Sequence, residues 1–121
     1  MLMISCSLDS KDNGASPKVN IVSHQDGSIF VVGYPQVIQL QTSYPTKGHR
    51  LESIFYAGDR EICGTWSELD EDLGARCLYE PALGDDAIKA VVRNEFGRDD
   101  DSSVSISVSD SFLSLIHISE P

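Results

Sequence analysis

The sequence is short of positive charge, of cysteine and of long apolar runs, and each shortage closes off a class of function. Nine Lys and Arg stand against nineteen Asp and Glu, a net charge of -10 in 121 residues. A chain that acidic repels phosphate backbones and anionic headgroups, so no nucleic-acid partner is expected. No apolar run nears the roughly 20 residues that a membrane-crossing helix needs. The three cysteines, Cys6, Cys63 and Cys77, lack the close Cys-x-x-Cys spacing of a structural zinc site. Nowhere do apolar residues recur at the three-and-four spacing of an amphipathic helix over even about twelve residues.

What the chain does have is alternation. Val19 and Ile21 alternate with Lys18 and Asn20, and Asp26-Gly27 then supplies a turn before the apolar run of residues 29–32. The first strand is expected to continue through that kink. Ile38, Leu40 and Thr42 share one face of a second strand, with Gln39 and Gln41 on the other. Residues 51–57 are rich in β-branched and aromatic side chains, and Gly58-Asp59 turns them into a short strand over residues 60–63. The acidic segment 64–74 reads as an irregular loop, after which Ala75, Cys77 and Tyr79 alternate. Ile88, Ala90 and Val92 then form a hairpin with Val104, Ile106 and Val108 around a turn at residues 94–97. About seven short antiparallel strands in one domain of this length predict an all-β sandwich.

Pro17, Val19 and Ile21, the turn Asp26-Gly27 and Gly33 resemble the opening of bacterial immunoglobulin-like repeat domains of surface and secreted proteins. Ile54-Phe55-Tyr56-Ala57-Gly58 with Ile62-Cys63-Gly64 resembles that family's central hairpin, and residues 88–97 resemble its penultimate strand and turn. The resemblance covers roughly residues 17–108. It implies an immunoglobulin-like β-sandwich in an extracytoplasmic, cell-surface or secreted protein. The cysteine pair and the acidic middle loop depart from the commoner repeats.

The expected organisation is a truncated signal or flexible tether over residues 1–17, the domain over 18–109, and a non-native tail over 110–121. Residues 2–6, ending in Cys6, resemble the end of a bacterial lipoprotein signal, which implies lipidation at Cys6 and a lipid anchor. Residues 113–121 resemble translated sequencing-adapter DNA and so are excluded from functional reasoning, His117 included.

Cys63 and Cys77 are expected to form a disulfide if the compartment is oxidising, the alternative being two thiols packed as small hydrophobes. His24 and His49 sit in predicted turns with no nucleophile motif around them, so no catalytic residues are assigned. Asp70-Glu71-Asp72 and Asp99-Asp100-Asp101 lack the spaced ligands of a calcium loop and read as solvated loops; no metal or cofactor is expected. Of Tyr56, Trp66, Tyr79 and Phe96, Trp66 is the preferred exposed contact residue, because it falls in the polar middle segment. These readings make the domain a non-catalytic spacer or binding module with a protein or carbohydrate partner and neighbouring domains. The alternative is an accessory carbohydrate-contacting domain of a larger secreted enzyme.

Overall fold

Period-two patterning produces eight strands in the computed structural model, which describes residues 17–43, 50–70 and 72–111. They are β1 (Lys18–Ile21), β2 (Ser28–Val31), β3 (Gln36–Ser43), β4 (Leu51–Ala57), β5 (Arg60–Glu68), β6 (Gly74–Tyr79), β7 (Ala87–Asn94) and β8 (Asp99–Ser109). One sheet has the order β1-β3-β6 and the other β2-β8-β7-β4-β5. Residues 1–16 of the expected tether, with Cys6, the expected tail beyond Ser111, His49 and Glu71 lie outside the described residues, whereas Pro17, placed at the end of that tether, is fully buried and belongs to the folded domain.

The two sheets meet through their alternating apolar faces. Ile38 and Leu40 of β3 oppose the layer of Ile88, Ala90 and Val92 of β7, and all five are completely buried. Each such branched side chain contributes roughly 1.5–3 kcal/mol by leaving water. Phe30 and Tyr79 meet edge to face with centroids 5.5 Å apart, filling the layer with aromatic volume. This is the two-layer β-sandwich that the alternation predicts.

Three details differ from the sequence reading. First, β1 and β2 belong to opposite sheets: β1 runs antiparallel to β3, whereas β2 runs parallel to β8. The chain crosses between layers at the Asp26-Gly27 turn, where Gly27 takes a φ of +87° that other residues rarely adopt. Strand count therefore rises to eight, and one pairing is parallel. Second, β5 does not stop at Cys63 but runs on to Glu68. Cys63 and Gly64 both take positive φ, 61° and 83°, and the β4–β5 register shifts beside them. A bulge, not a strand end, is what Gly64 marks.

Third, the acidic run is not a loop, because Asp99 opens β8 and pairs with Arg93. Asp100 points toward the other sheet and accepts a hydrogen bond from the Val19 N–H at 2.9 Å, while Ser102 Oγ accepts one from the Ile21 N–H at 3.2 Å. Val19 and Ile21 lie on the edge strand β1, whose outward N–H groups have no neighbouring strand. The two side chains satisfy donors that would otherwise template aggregation.

Asp100→Ala is therefore expected to lower unfolding free energy by about 1–3 kcal/mol, with Asp100→Asn losing less. Urea denaturation measures the loss, and amide exchange at Val19 should accelerate selectively. Unchanged exchange there would show that the carboxylate does not hold this edge.

Candidate contact surface

β4 and β7 run through the middle of the five-stranded sheet and present Glu52, Ile54, Tyr56, Lys89, Val91 and Arg93 outward, on the side away from the core. Register confirms the grouping, because Glu52 pairs with Arg93, Ile54 with Val91 and Tyr56 with Lys89. Ile54 is only 2% exposed although it stands outside the core cluster, so the outer face carries a small apolar centre of its own.

Trp66 joins this face because of the bulge. Ile62 pairs with Phe55 and Ser67 with Ser53, and both β4 partners point into the core. In an unbroken strand Ile62 and Trp66, four residues apart, would share a face. The extra residues around Cys63 and Gly64 reverse the phase, so Trp66 turns outward with Glu68, the partner of Glu52. The expected loop position of Trp66 is thus corrected to a strand position, and the ring is half-buried rather than free. The Arg93 guanidinium lies 3.8 Å from its centroid and bonds Glu52 through Nη2 at 3.1 Å. Nearby, Lys89 Nζ sits 5.4 Å from the Tyr56 centroid. Beside these pairs lies a shallow hollow of about 410 Å³ lined by Tyr56, Trp66, Lys89, Val91, Asp99 and Asp101.

The other aromatics are elsewhere. Phe96 is exposed in the β7–β8 turn, and Tyr79 is in the core. Tyr79 belongs to a polar cluster that the sequence did not signal. Its hydroxyl donates to Asp85 Oδ2 at 2.5 Å, and Arg60 Nη1 and Nη2 donate to the same carboxylate at 2.9 and 3.1 Å. Burial alone raises the Asp85 carboxyl, but the hydrogen bonds from Arg60 and Tyr79 outweigh it and hold the group below its ordinary 3.8. Burial, then the bond to Asp85, pushes the Tyr79 phenol well above its ordinary 10.0.

Cys63 and Cys77 are joined by a disulfide with Cα atoms 5.7 Å apart. It links β5, an edge of the larger sheet, to β6, an edge of the smaller one. Cys77 is buried and Cys63 exposed.

His24, read as a surface histidine, packs its ring edge to face against Phe30 at 5.1 Å. Desolvation lowers its pKa despite the opposing hydrogen bond with Gln36. Asp70 pairs with Arg76 at 3.7 Å. No group of three or more metal-ligating side chains gathers among the described residues.

No family model and no curated protein matches the sequence. Solved structures match in fold. The fibronectin(III)-like modules of Clostridium thermocellum CbhA align with a TM-score of 0.60 at 15% identity, covering 82% of this chain and 50% of that one. A chimeric titin Z1Z2 matches at 0.54 with 19% identity, covering 80% and 98% of the two chains. The M1 domain from titin gives 0.51 at 17% identity, covering 76% and 90%. The likeness establishes an immunoglobulin-like or fibronectin-type sandwich. It reaches titin domains as well as a bacterial module, so it does not single out bacterial surface repeats. The chain spans half the length of the CbhA chain it matches.

Two measurements follow from these contacts. Reduction of the Cys63–Cys77 bond frees a loop of sequence separation 14 and should cost about 2–4 kcal/mol in urea denaturation, with a matching drop in Tm. An identical midpoint with and without reductant would deny the disulfide a structural role. For the Asp85 cluster the lowered carboxyl pKa means a contribution fully present above the unfolded value of 3.8 and lost as pH falls through the folded one. The raised Tyr79 phenol gives the opposite limb, present below 10.0 and lost as pH rises above it. Asp85→Asn should flatten the acid limb and Tyr79→Phe the alkaline limb of a stability–pH profile, and slopes unchanged by either would refute the assignment.

Proposed function

We propose that the chain is a non-catalytic immunoglobulin-like module of an extracytoplasmic protein, cell-surface or secreted, of the kind carried by bacterial surface-protein repeats. It spaces neighbouring domains and binds a partner through the outer face of its five-stranded sheet. The observation that carries the reading is where the chemistry lies. The interior is filled mainly by apolar side chains, and Trp66 and Tyr56 stand with Lys89, Asp99 and Asp101 around one hollow on an outer sheet face. A rigid scaffold with a flat, mixed aromatic and charged face suits contact better than turnover. Export is supported by the disulfide, since an exposed sulfur such as that of Cys63 stays oxidised in oxidising compartments and is reduced in the cytosol.

A second reading, an accessory carbohydrate-contacting domain of a larger secreted enzyme, is favoured by the same Trp66 and Tyr56 pair and by the match to half of a longer bacterial chain.

The test compares wild-type protein with Trp66→Ala/Tyr56→Ala for binding to intact cells of the producing organism and to soluble oligosaccharides, with urea denaturation confirming that the variant folds. Loss of cell binding in the variant is the expected result. Oligosaccharide binding lost on the same substitution would select the second reading. Free thiols at Cys63 and Cys77 in exported protein, or substrate turnover by the isolated domain, would overturn the proposal.

A further inference from the structure

The outer face of the five-stranded sheet carries more carboxylates than it can neutralise. Register places Glu61 beside Tyr56, Glu68 beside Glu52, Asp99 beside Arg93 and Asp101 beside Val91. Glu52 pairs with Arg93, and Glu68 reaches Arg50 at 3.9 Å. Glu61, Asp99 and Asp101 take no part in the ion pairs found among the described residues, and Arg93, the register partner of Asp99, is itself bonded to Glu52.

The distribution of these groups around the hollow has a direction. β7 forms the floor, with Val91 and Lys89. On one side stand the Tyr56 and Trp66 rings of β4 and β5, and on the other the Asp99 and Asp101 carboxylates of β8. The chain's own cations already show how such rings are used, because Arg93 lies on Trp66 and Lys89 on Tyr56. Ring quadrupoles attract cations, and the attraction grows as water is displaced.

We infer that this hollow receives arginine or lysine side chains from a segment of a partner protein. The inference rests on the contact role proposed above and names the chemistry of its partner. An aliphatic stem packs over Val91 and the rings, and the charged head reaches Asp99 and Asp101. Arginine fits better than lysine, because a planar guanidinium can stack on a ring and bridge two carboxylates at once. A net charge of -10 on the whole chain steers such a segment toward it.

Trp66 is the single tryptophan of the chain, so its fluorescence is a local probe beside this hollow. The probe is a short synthetic peptide alternating arginine with serine, compared with a twin in which neutral citrulline replaces every arginine. The arginine peptide should shift Trp66 emission saturably, and the citrulline twin should bind at least about tenfold more weakly. Asp99→Asn/Asp101→Asn should cost about tenfold in affinity, whereas Asp72→Asn/Glu80→Gln, which removes the same charge beside β6 in the other sheet, should stay within about twofold of wild type. Urea denaturation shows that both variants fold.

Equal losses in the two double variants would reduce the effect to bulk charge and overturn the inference, as would binding that leaves Trp66 emission unmoved. Should oligosaccharides shift Trp66 while the arginine peptide does not, the cationic partner is wrong and the contact role of the face survives. Silence toward both probes, with cell binding that persists in Trp66→Ala/Tyr56→Ala, removes both.

Discussion

The small sheet has two open edges, and closing them is the constraint on which the rest of the molecule depends. Three strands over five leave β1 and β6 without outer neighbours in their own layer. The chain closes each edge against the opposite sheet by a different chemistry. At β1, Asp100 and Ser102 of β8 accept hydrogen bonds from the Val19 and Ile21 amides. At β6, Cys77 is bonded covalently to Cys63 of β5. Apolar burial supplies most of the stabilisation, but it is non-directional and would tolerate sliding. The edge contacts fix how the layers sit relative to one another, and they leave the outer face of the larger sheet as a stable platform.

How much of this is legible in the sequence depends on whether a residue's role is set locally. Ile38, Leu40, Ile88, Ala90, Val92, Val104 and Ile106 are all buried as their alternation demands, because a period of two leaves each of them one face to occupy. The role of Asp100 is not local. Three successive aspartates read as a solvated loop, and only an edge strand donated by residues far away in sequence makes one of them a strand-forming acceptor. Tyr79, Asp85 and Arg60 likewise meet only after β5, β6 and the following loop converge. The switch of β1 and β2 between sheets is intermediate. The kink is visible in Asp26-Gly27, but which layer each half joins is decided by pairing partners.

The face around Trp66 was half legible. Its aromatic and charged residue types are plain in the sequence, and Trp66 could be singled out, although for the wrong reason. It is displayed by a strand irregularity, not by lying in a loop. A reader who continued the alternation of Ile62 through Gly64 would have turned Trp66 into the core, and one who stopped at Cys63 would have missed the strand.

That irregularity couples two features that look separate in the sequence. Cys63, one of only two non-glycine residues with positive φ among the described residues, is at once the bulge residue and the disulfide partner of Cys77. A non-glycine residue in this region costs about 1–2 kcal/mol unless its surroundings hold it there, and the bond to Cys77, itself 1% exposed in the core, provides such a hold. Gly64, at a φ of 83° with open space around its Cα, completes the reversal at little steric cost. The residue that staples the two sheets together is thus part of the bulge that sends Trp66 outward. The outer surface is tied to the closure of the sandwich through four residues of backbone, and a change that releases the staple acts on both.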